Sequence, residues 1–360
     1  MAEKRQPTKY GELAAHLHRQ IADGVYRPGD RIESENRLAE TFGFSRQTVR
    51  QAIGTLEREG LLVRRRGSGT YVAGTVRASG HTMNIGVIAT YITDYIFPTI
   101  IRGIEKTLTE KGYRMTLGVT QNRVENEGRL LRSLMETGVD GLIVEGTKTA
   151  LPNPNLALYR KLEGMGIPGV FFKGYYRELG ECTYVDTDDV RAGQEAAGYL
   201  LRRDCCRLGG VFKSDDLQGH RRYEGFMRAA GKAGISVPDD AVVWYTTADR
   251  DTLFEGESRE RLFRRLAGCD GILCYNDAIA FSVIDLLQQK GIQVPRQVSV
   301  MGFDDSSISH YSAVKITTMS HPKDRMGAAA ADMLVRMIET GTREKPLVMR
   351  MEPVIKDSVK

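Results

Sequence analysis

Between Asn84 and Asp305 the chain carries seven short apolar runs, and each stops on or beside a polar or charged residue. They read NIGVIAT, YRMTLGVT, DGLIVEG, IPGVFFK, LGGVFKS, GILCYND and VSVMGFDD. Segments of helical pattern, such as TIIRGIEKTLTEKG and RLLRSLMETG, lie between them. An apolar run without polar alternation fits a strand buried on both faces. Such strands joined through helices form parallel sheets of βαβ units. There are too many for one small sheet. The body, residues 84–360, is therefore expected to be α/β, with two doubly wound subdomains.

The ends of these runs carry the chemistry. Ligands of open parallel sheets bind beyond the carboxyl ends of the strands. Those ends read Thr90-Tyr91, Glu145, Lys173, Lys213-Ser214-Asp215, Asn276-Asp277 and Asp304-Asp305. Tyr91, Tyr95, Phe97, Tyr275 and Phe303 are close by in sequence. Carboxylates, amides and ammonium groups offer paired acceptors and donors to vicinal hydroxyls, and aromatic rings cover the C–H face of a sugar. A small polyhydroxylated ligand is expected. Taken singly, Asp277 or Asp305 reads as no more than a helix cap.

The first 73 residues have a different texture. Tyr10, Leu13, Ala14, Leu17 and Ile21 form one amphipathic helix. SENRLAETFG is a short second helix, capped by Ser34 and stopped at Gly43. FGFSRQTVRQAIGTLEREG then gives a third, with Ser45 as N-cap and Gly60 as its end. Val49, Ala52, Ile53 and Leu56 make its buried stripe, while Arg46, Gln47 and Arg50 face the other way. LLVRRRGSGTYV reads as a basic hairpin turning at Gly67-Ser68-Gly69. The order is that of a winged helix–turn–helix. Arg46 and Arg50 suit phosphates or guanine edges, Gln47 an adenine edge and Thr48 a phosphate. Arg66, beside Arg64 and Arg65, lies next to glycines that let backbone approach nucleic acid closely.

Charge supports the division. Of a net +5, residues 1–77 hold 14 Lys and Arg against 9 Asp and Glu, and the remainder is balanced at 37 against 37. All of the excess positive charge sits on the module expected to meet a polyanion. VAGTVRASGHTM is small and polar, so residues 74–83 are expected to be a linker.

Residues 8–73 resemble the DNA-binding domain of the GntR family, through GDRIESENRLAETFGFSRQTVRQAIGTLEREGLLVRRRGSGTYV. The resemblance implies operator contact through Arg46, Arg50 and Gly67. Where some members carry an arginine in the second helix, this chain has Asn36, followed by Arg37. Residues 84–356 resemble the effector domain of the LacI family, itself similar to periplasmic sugar-binding proteins, through GHRRYEGF, CYNDAIAF, VSVMGFDDSSIS and ITTMSHP. That resemblance implies sugar contacts at Arg222, Asn276, Asp304 and the position of Lys173. Lys173 and His321 depart from the commoner residues of that family and point away from purines and disaccharides. The combined architecture is similar to a family of arabinose-responsive repressors of Bacillus-type bacteria, through NIGVIATYITDYIFPTIIRGIE, DGLIVEGTKTALPNPN and CYNDAIA. It implies L-arabinose as effector and arabinose-utilisation operators as targets; composition and spacing indicate only a small polar ligand.

Other classes are weighed against this. Glu145 and Asp304 could act as the paired carboxylates of a sugar-processing enzyme. A transport-type binding protein would share the body, but MAEKRQPTKYGEL lacks an apolar leader core. His16 and His18 sit at i, i+2, not at the i, i+4 spacing of a zinc helix. The five cysteines have no zinc-type spacing and read as reduced thiols. The expectation is a cytoplasmic homodimer, without cofactor, metal or membrane contact, that reads operator DNA and responds to a sugar.

Overall fold

The computed structural model describes residues 9–22, 25–26, 29–58, 61–65, 68–72, 82–92 and 96–360. They divide into two compact units, one of residues 1–81 with 164–166 and the other of residues 82–163 and 167–360. Among the described residues, no helix is long and apolar enough to cross a membrane.

The first unit packs helices Lys9–Ala22, Glu35–Phe42 and Arg46–Arg58 with an antiparallel hairpin, Leu62–Arg65 against Gly69–Val72. Leu13, Leu17, Leu38, Val49, Ala52, Ile53 and Leu56 form its core, closed by Leu62 and Val72 of the hairpin. The stripe read from the sequence is thus the buried one. Local chemistry sets the helix ends. Ser34 Oγ accepts from Arg37 N at 3.3 Å, Gly43 ends the second helix at φ 64°, and Ser45 Oγ accepts from Thr48 N at 3.2 Å. The first hairpin strand is Leu62–Arg65. Gly60 and Gly67, expected at the helix end and the turn, lie outside the described residues. So does the linker, except for Thr82 and Met83, whose backbone amides both donate to the Asp140 carboxylate at 3.0 Å.

The second unit contains two six-stranded sheets. The first runs Leu347–Met349, Thr183–Thr187, Gly169–Phe172, Gly141–Val144, Asn84–Ala89, Arg114–Val119, all parallel. The second runs Glu352–Val354, Thr317–Ser320, Ser299–Asp304, Gly271–Cys274, Leu208–Lys213, Val242–Tyr245, parallel except for Glu352–Val354. Alternation within each strand fills both faces. Ile85, Val87 and Ala89 pack with helices Phe97–Glu110 and Lys323–Thr340, whereas Ile88 packs into the opposite layer with Leu131 and Leu142. In the second sheet Val211, Ile272 and Val300 face one core, and Phe212, Leu273 and Met301 the other.

The chain changes lobe after Thr187, after Ser320 and between Met349 and Glu352. Helix Lys323–Thr340 thereby returns to pack on Phe97–Glu110 of the first lobe. In each sheet the first strand in chain order lies between the second and the third, so each has one topological switch point. These fall at Asn84–Ala89 beside Gly141–Val144, and at Leu208–Lys213 beside Gly271–Cys274.

Candidate functional sites: a DNA-reading helix and a cleft between two sheets

On the winged module, Ser45, Arg46, Gln47 and Arg50 are exposed and Thr48 is half-buried, with Val49 fully buried behind them. The helix presents one polar cationic face, as expected. The sequence did not reveal what orders it. Glu35 Oε2 accepts from Arg50 Nε at 2.7 Å, and Glu35 Oε1 accepts from Arg64 Nη2 at 3.0 Å. One carboxylate of the preceding helix thus orients an arginine of the third helix and an arginine of the hairpin. Arg37 is exposed and pairs with Glu33 at 3.6 Å. Ser68 Oγ lies 2.6 Å from Tyr71 Oη, and Gly69 has φ 126°, where a side chain would be strained. Arg66 lies outside the described residues.

In the body, both switch points open onto one cleft of about 690 Å³, open solvent at its mouth included. Thr90, Tyr91, Phe97, Glu145, Gly146, Thr149 and Lys173 line it from the first lobe. Lys213, Asp216, Gln218, Tyr245, Thr247, Arg250, Tyr275 and Asn276 line it from the second. Glu145 Oε2 accepts from Thr90 N at 2.7 Å and from Thr90 Oγ1 at 2.5 Å, and Glu145 Oε1 is 3.9 Å from Lys173 Nζ. Burial pushes the Glu145 carboxyl upward, against the pull of Lys173. Lys173 lies 4.5 Å from the Phe97 ring centroid and has φ 56°, a left-handed conformation costly for its residue type. Opposite, the Lys213 ammonium pairs with Asp216 and lies 3.6 Å from Asp215. Burial alone would raise Asp216, but Lys213, Asn122 and Lys173 together outweigh it and the carboxyl is held below its usual range. Gly219 makes this packing feasible: a Cβ there would stand 1.9 Å from Lys213 O.

Of the expected effector residues, Tyr91, Glu145, Lys173, Tyr275 and Asn276 line the cleft. Asn276 has a second role, since its Oδ1 accepts from Ile279 N at 3.0 Å and caps helix Asp277–Gln289. Asp277 and Asp305, read singly as caps, do other work. Asp277 accepts from Ser306 N at 2.8 Å and Thr318 Oγ1 at 2.6 Å, and Asp305 pairs with Lys356 at 2.7 Å. Arg222, Asp304 and His321 are buried and are not among the residues that line the cleft. Arg222 Nε donates to Asp189 Oδ1 at 2.8 Å, Arg222 Nη1 donates to Tyr275 O at 2.6 Å, and Arg222 Nη2 stands 3.6 Å from Asp304 Oδ1. Tyr95 lies outside the described residues.

Thr149, Asp216, Gln218, Tyr245, Thr247 and Arg250 were missed. Asp216 and Gln218 follow the polar end of LGGVFKS by a few residues and were legible there. Tyr245 ends VVWY, an apolar run followed by Thr246 and Thr247, and was legible by the same pattern. Thr247 and Arg250 sit in a loop with no pattern of its own, although the Arg250 guanidinium lies 5.8 Å from the Tyr91 ring centroid across the cleft. The arrangement offers ammonium and guanidinium donors, carboxylate acceptors and aromatic faces to one small ligand. It suits recognition of a polyhydroxylated molecule by both lobes at once.

Residues 9–72 match the bacterial regulatory proteins of the gntR family, and residues 197–359 match the periplasmic binding protein-like domain. The fold resembles a LacI family transcriptional regulator from Enterococcus faecium with bound ribose, at TM-score 0.63 and 25% identity, covering 77% of this chain and 98% of that one. Winged helix and two-lobed body together define a ligand-responsive transcriptional repressor, with a GntR-type reader on a LacI-type effector domain. Over 364 residues, covering 100% of both chains, it is 38% identical to the arabinose metabolism transcriptional repressor of Geobacillus stearothermophilus. It is 39% identical to that of Halalkalibacterium halodurans, over 94% of this chain and 91% of the other. The chain belongs to the family of arabinose metabolism transcriptional repressors.

Proposed function

We propose that this repressor binds operators of arabinose-utilisation genes in the cytoplasm as a homodimer and releases them when L-arabinose fills the cleft. One observation carries the reading: the switch points of both sheets face a single cleft furnished with charge pairs and rings. A sugar held by both walls binds the closed arrangement better than the open one, so it shifts the population toward closure. Residues 1–73 act as the reader, 74–83 as the linker and 84–360 as the sugar-binding and dimerising body. Two readers dock on the half-sites of a palindrome, each with Arg46, Gln47, Thr48 and Arg50 in the major groove and the turn at Gly67-Ser68-Gly69 against the backbone. Closure changes the freedom of the readers through the linker. Lys173, Glu145, Tyr91, Tyr275 and Asn276 contact the sugar, and Arg222, Asp304 and His321 brace the wall behind them. The protein is a binding device and needs no cofactor.

The experiment is a melting-temperature series of the full chain with L-arabinose, D-xylose, D-galactose and D-ribose. A ligand at about 100 times its Kd adds roughly 2.7 kcal/mol to what it binds. A rise with L-arabinose alone is expected. A rise only with another sugar overturns the named effector, and no rise with any overturns the sugar reading of the cleft.

A further inference from the structure

Asn122 follows strand Arg114–Val119 of the first lobe, is 1% exposed and has φ 53°. Asparagine and aspartate adopt that left-handed conformation more readily than most residues. It is not among the residues lining the cleft. Its Oδ1 accepts from Lys148 N at 2.8 Å, within its own lobe. That bond fixes the amide orientation and turns the NH2 outward. Nδ2 then donates to Thr247 Oγ1 at 2.6 Å and reaches Asp216 Oδ1 at 3.4 Å, both on the second lobe. Two further bonds cross between the lobes nearby. Leu217 N donates to Thr149 Oγ1 at 3.0 Å, and Ala150 N donates to Asp215 O at 3.3 Å.

We propose that Asn122 is a clasp: a positioning residue that holds the cleft closed over its effector without touching it. The inference rests on reading the cleft as the effector site. Bonds between lobes exist only when the lobes are together, so they add to the stability of the closed state. The effector's apparent affinity is divided by less when that state is already populated. The clasp therefore sets how much of closure the sugar must supply, and it acts mainly on how long the sugar stays. The buried amide also joins the two strand-end loops that carry Thr149 and Asp216, so closure places groups of both walls in register.

The test is Asn122→Asp in the full chain. It keeps an acceptor for Lys148 N and a residue type suited to φ 53°, but it replaces the NH2 donor with an oxygen facing Asp216. Amide hydrogen exchange at Leu217 and Ala150 is expected to accelerate about tenfold, the size of one lost hydrogen bond. Amides of strand Asn84–Ala89 exchange as in the wild type. L-arabinose dissociates about tenfold faster, with little change in association rate. Asn122→Gly, which also tolerates the backbone, moves both readouts the same way. Unchanged exchange at Leu217 and Ala150 together with unchanged sugar dissociation overturns the clasp. Acceleration spread equally over the sheet amides in both variants also overturns it, in favour of a packing role. If the wild type binds no sugar while the local acceleration persists, the effector reading fails and the clasp stands.

Discussion

Arg222 donates through Nε to Asp189 Oδ1 at 2.8 Å, and both residues are 1% exposed. Asp189 opens the helix that follows the first crossing between lobes, and its Oδ2 accepts from Thr187 Oγ1 at 3.1 Å. The guanidinium therefore ties a crossing segment to helix Leu217–Lys232 of the second lobe. Neighbouring carboxylates more than offset burial and hold it charged.

Removing one partner leaves the other charge buried and uncompensated. Arg222→Ala is expected to destabilise the body by about 3–5 kcal/mol, measured by urea unfolding. Loss of sugar response in that variant would then come with loss of stability. A stable variant that merely binds sugar less well would place the guanidinium on the ligand instead.

Arg50→Ala is expected to weaken operator binding about five- to a hundredfold while sugar affinity stays constant, measured by anisotropy and calorimetry. Glu35→Gln should also perturb DNA binding, because that carboxylate orients Arg50 and Arg64 together. Unchanged DNA affinity in both variants contradicts the assignment of this face.

His321 is 2% exposed, and its ring nitrogens have no hydrogen-bond partner among the described residues. Burial first, then Lys173, push its pKa down to about 3; Arg222 and Lys323 act the same way, and Asp304 opposes them. The unfolded chain takes up this proton near pH 6.5, the folded one near 3. The stability contributed is complete above the unfolded value and is lost as pH falls toward the folded one. His321→Gln should lose less melting temperature between pH 7 and pH 5 than the wild type; an equal loss contradicts a neutral buried imidazole.

Helices Asp189–Arg202 and Leu217–Lys232 approach through glycine. A Cβ on Gly225 would stand 2.0 Å from Val190 O, and one on Gly193 would stand 2.3 Å from Arg222 O. Both clashes are with backbone, which cannot rotate away. Gly225→Ala should destabilise by about 1–3 kcal/mol or more in thermal melts. A neutral effect would mean that the helices can separate without cost.

The winged helix was legible in detail because its caps and its stripe of Val49, Ala52, Ile53 and Leu56 are local. The sheets were legible because a doubly buried strand such as Asn84–Ala89 shows as a continuous apolar run. Strand Thr183–Thr187 was not, since TYVDT is short and partly polar. The cleft was legible where a residue ends a strand, as at Tyr91, Glu145 and Lys173. It was not legible where a loop from the other lobe supplies the contact, as with Thr247 and Arg250. Glu35 and Asn122 carry no local signature because their partners are distant along the chain.

The account turns on coupling between the cleft and the reading helix. The most direct measurement is the affinity of the full chain for a DNA fragment it has selected from a random pool, with and without saturating L-arabinose. The account predicts that the sugar weakens binding at least about fivefold and that DNA weakens sugar binding by the same factor. Equal DNA affinity in the presence and absence of bound L-arabinose would contradict it.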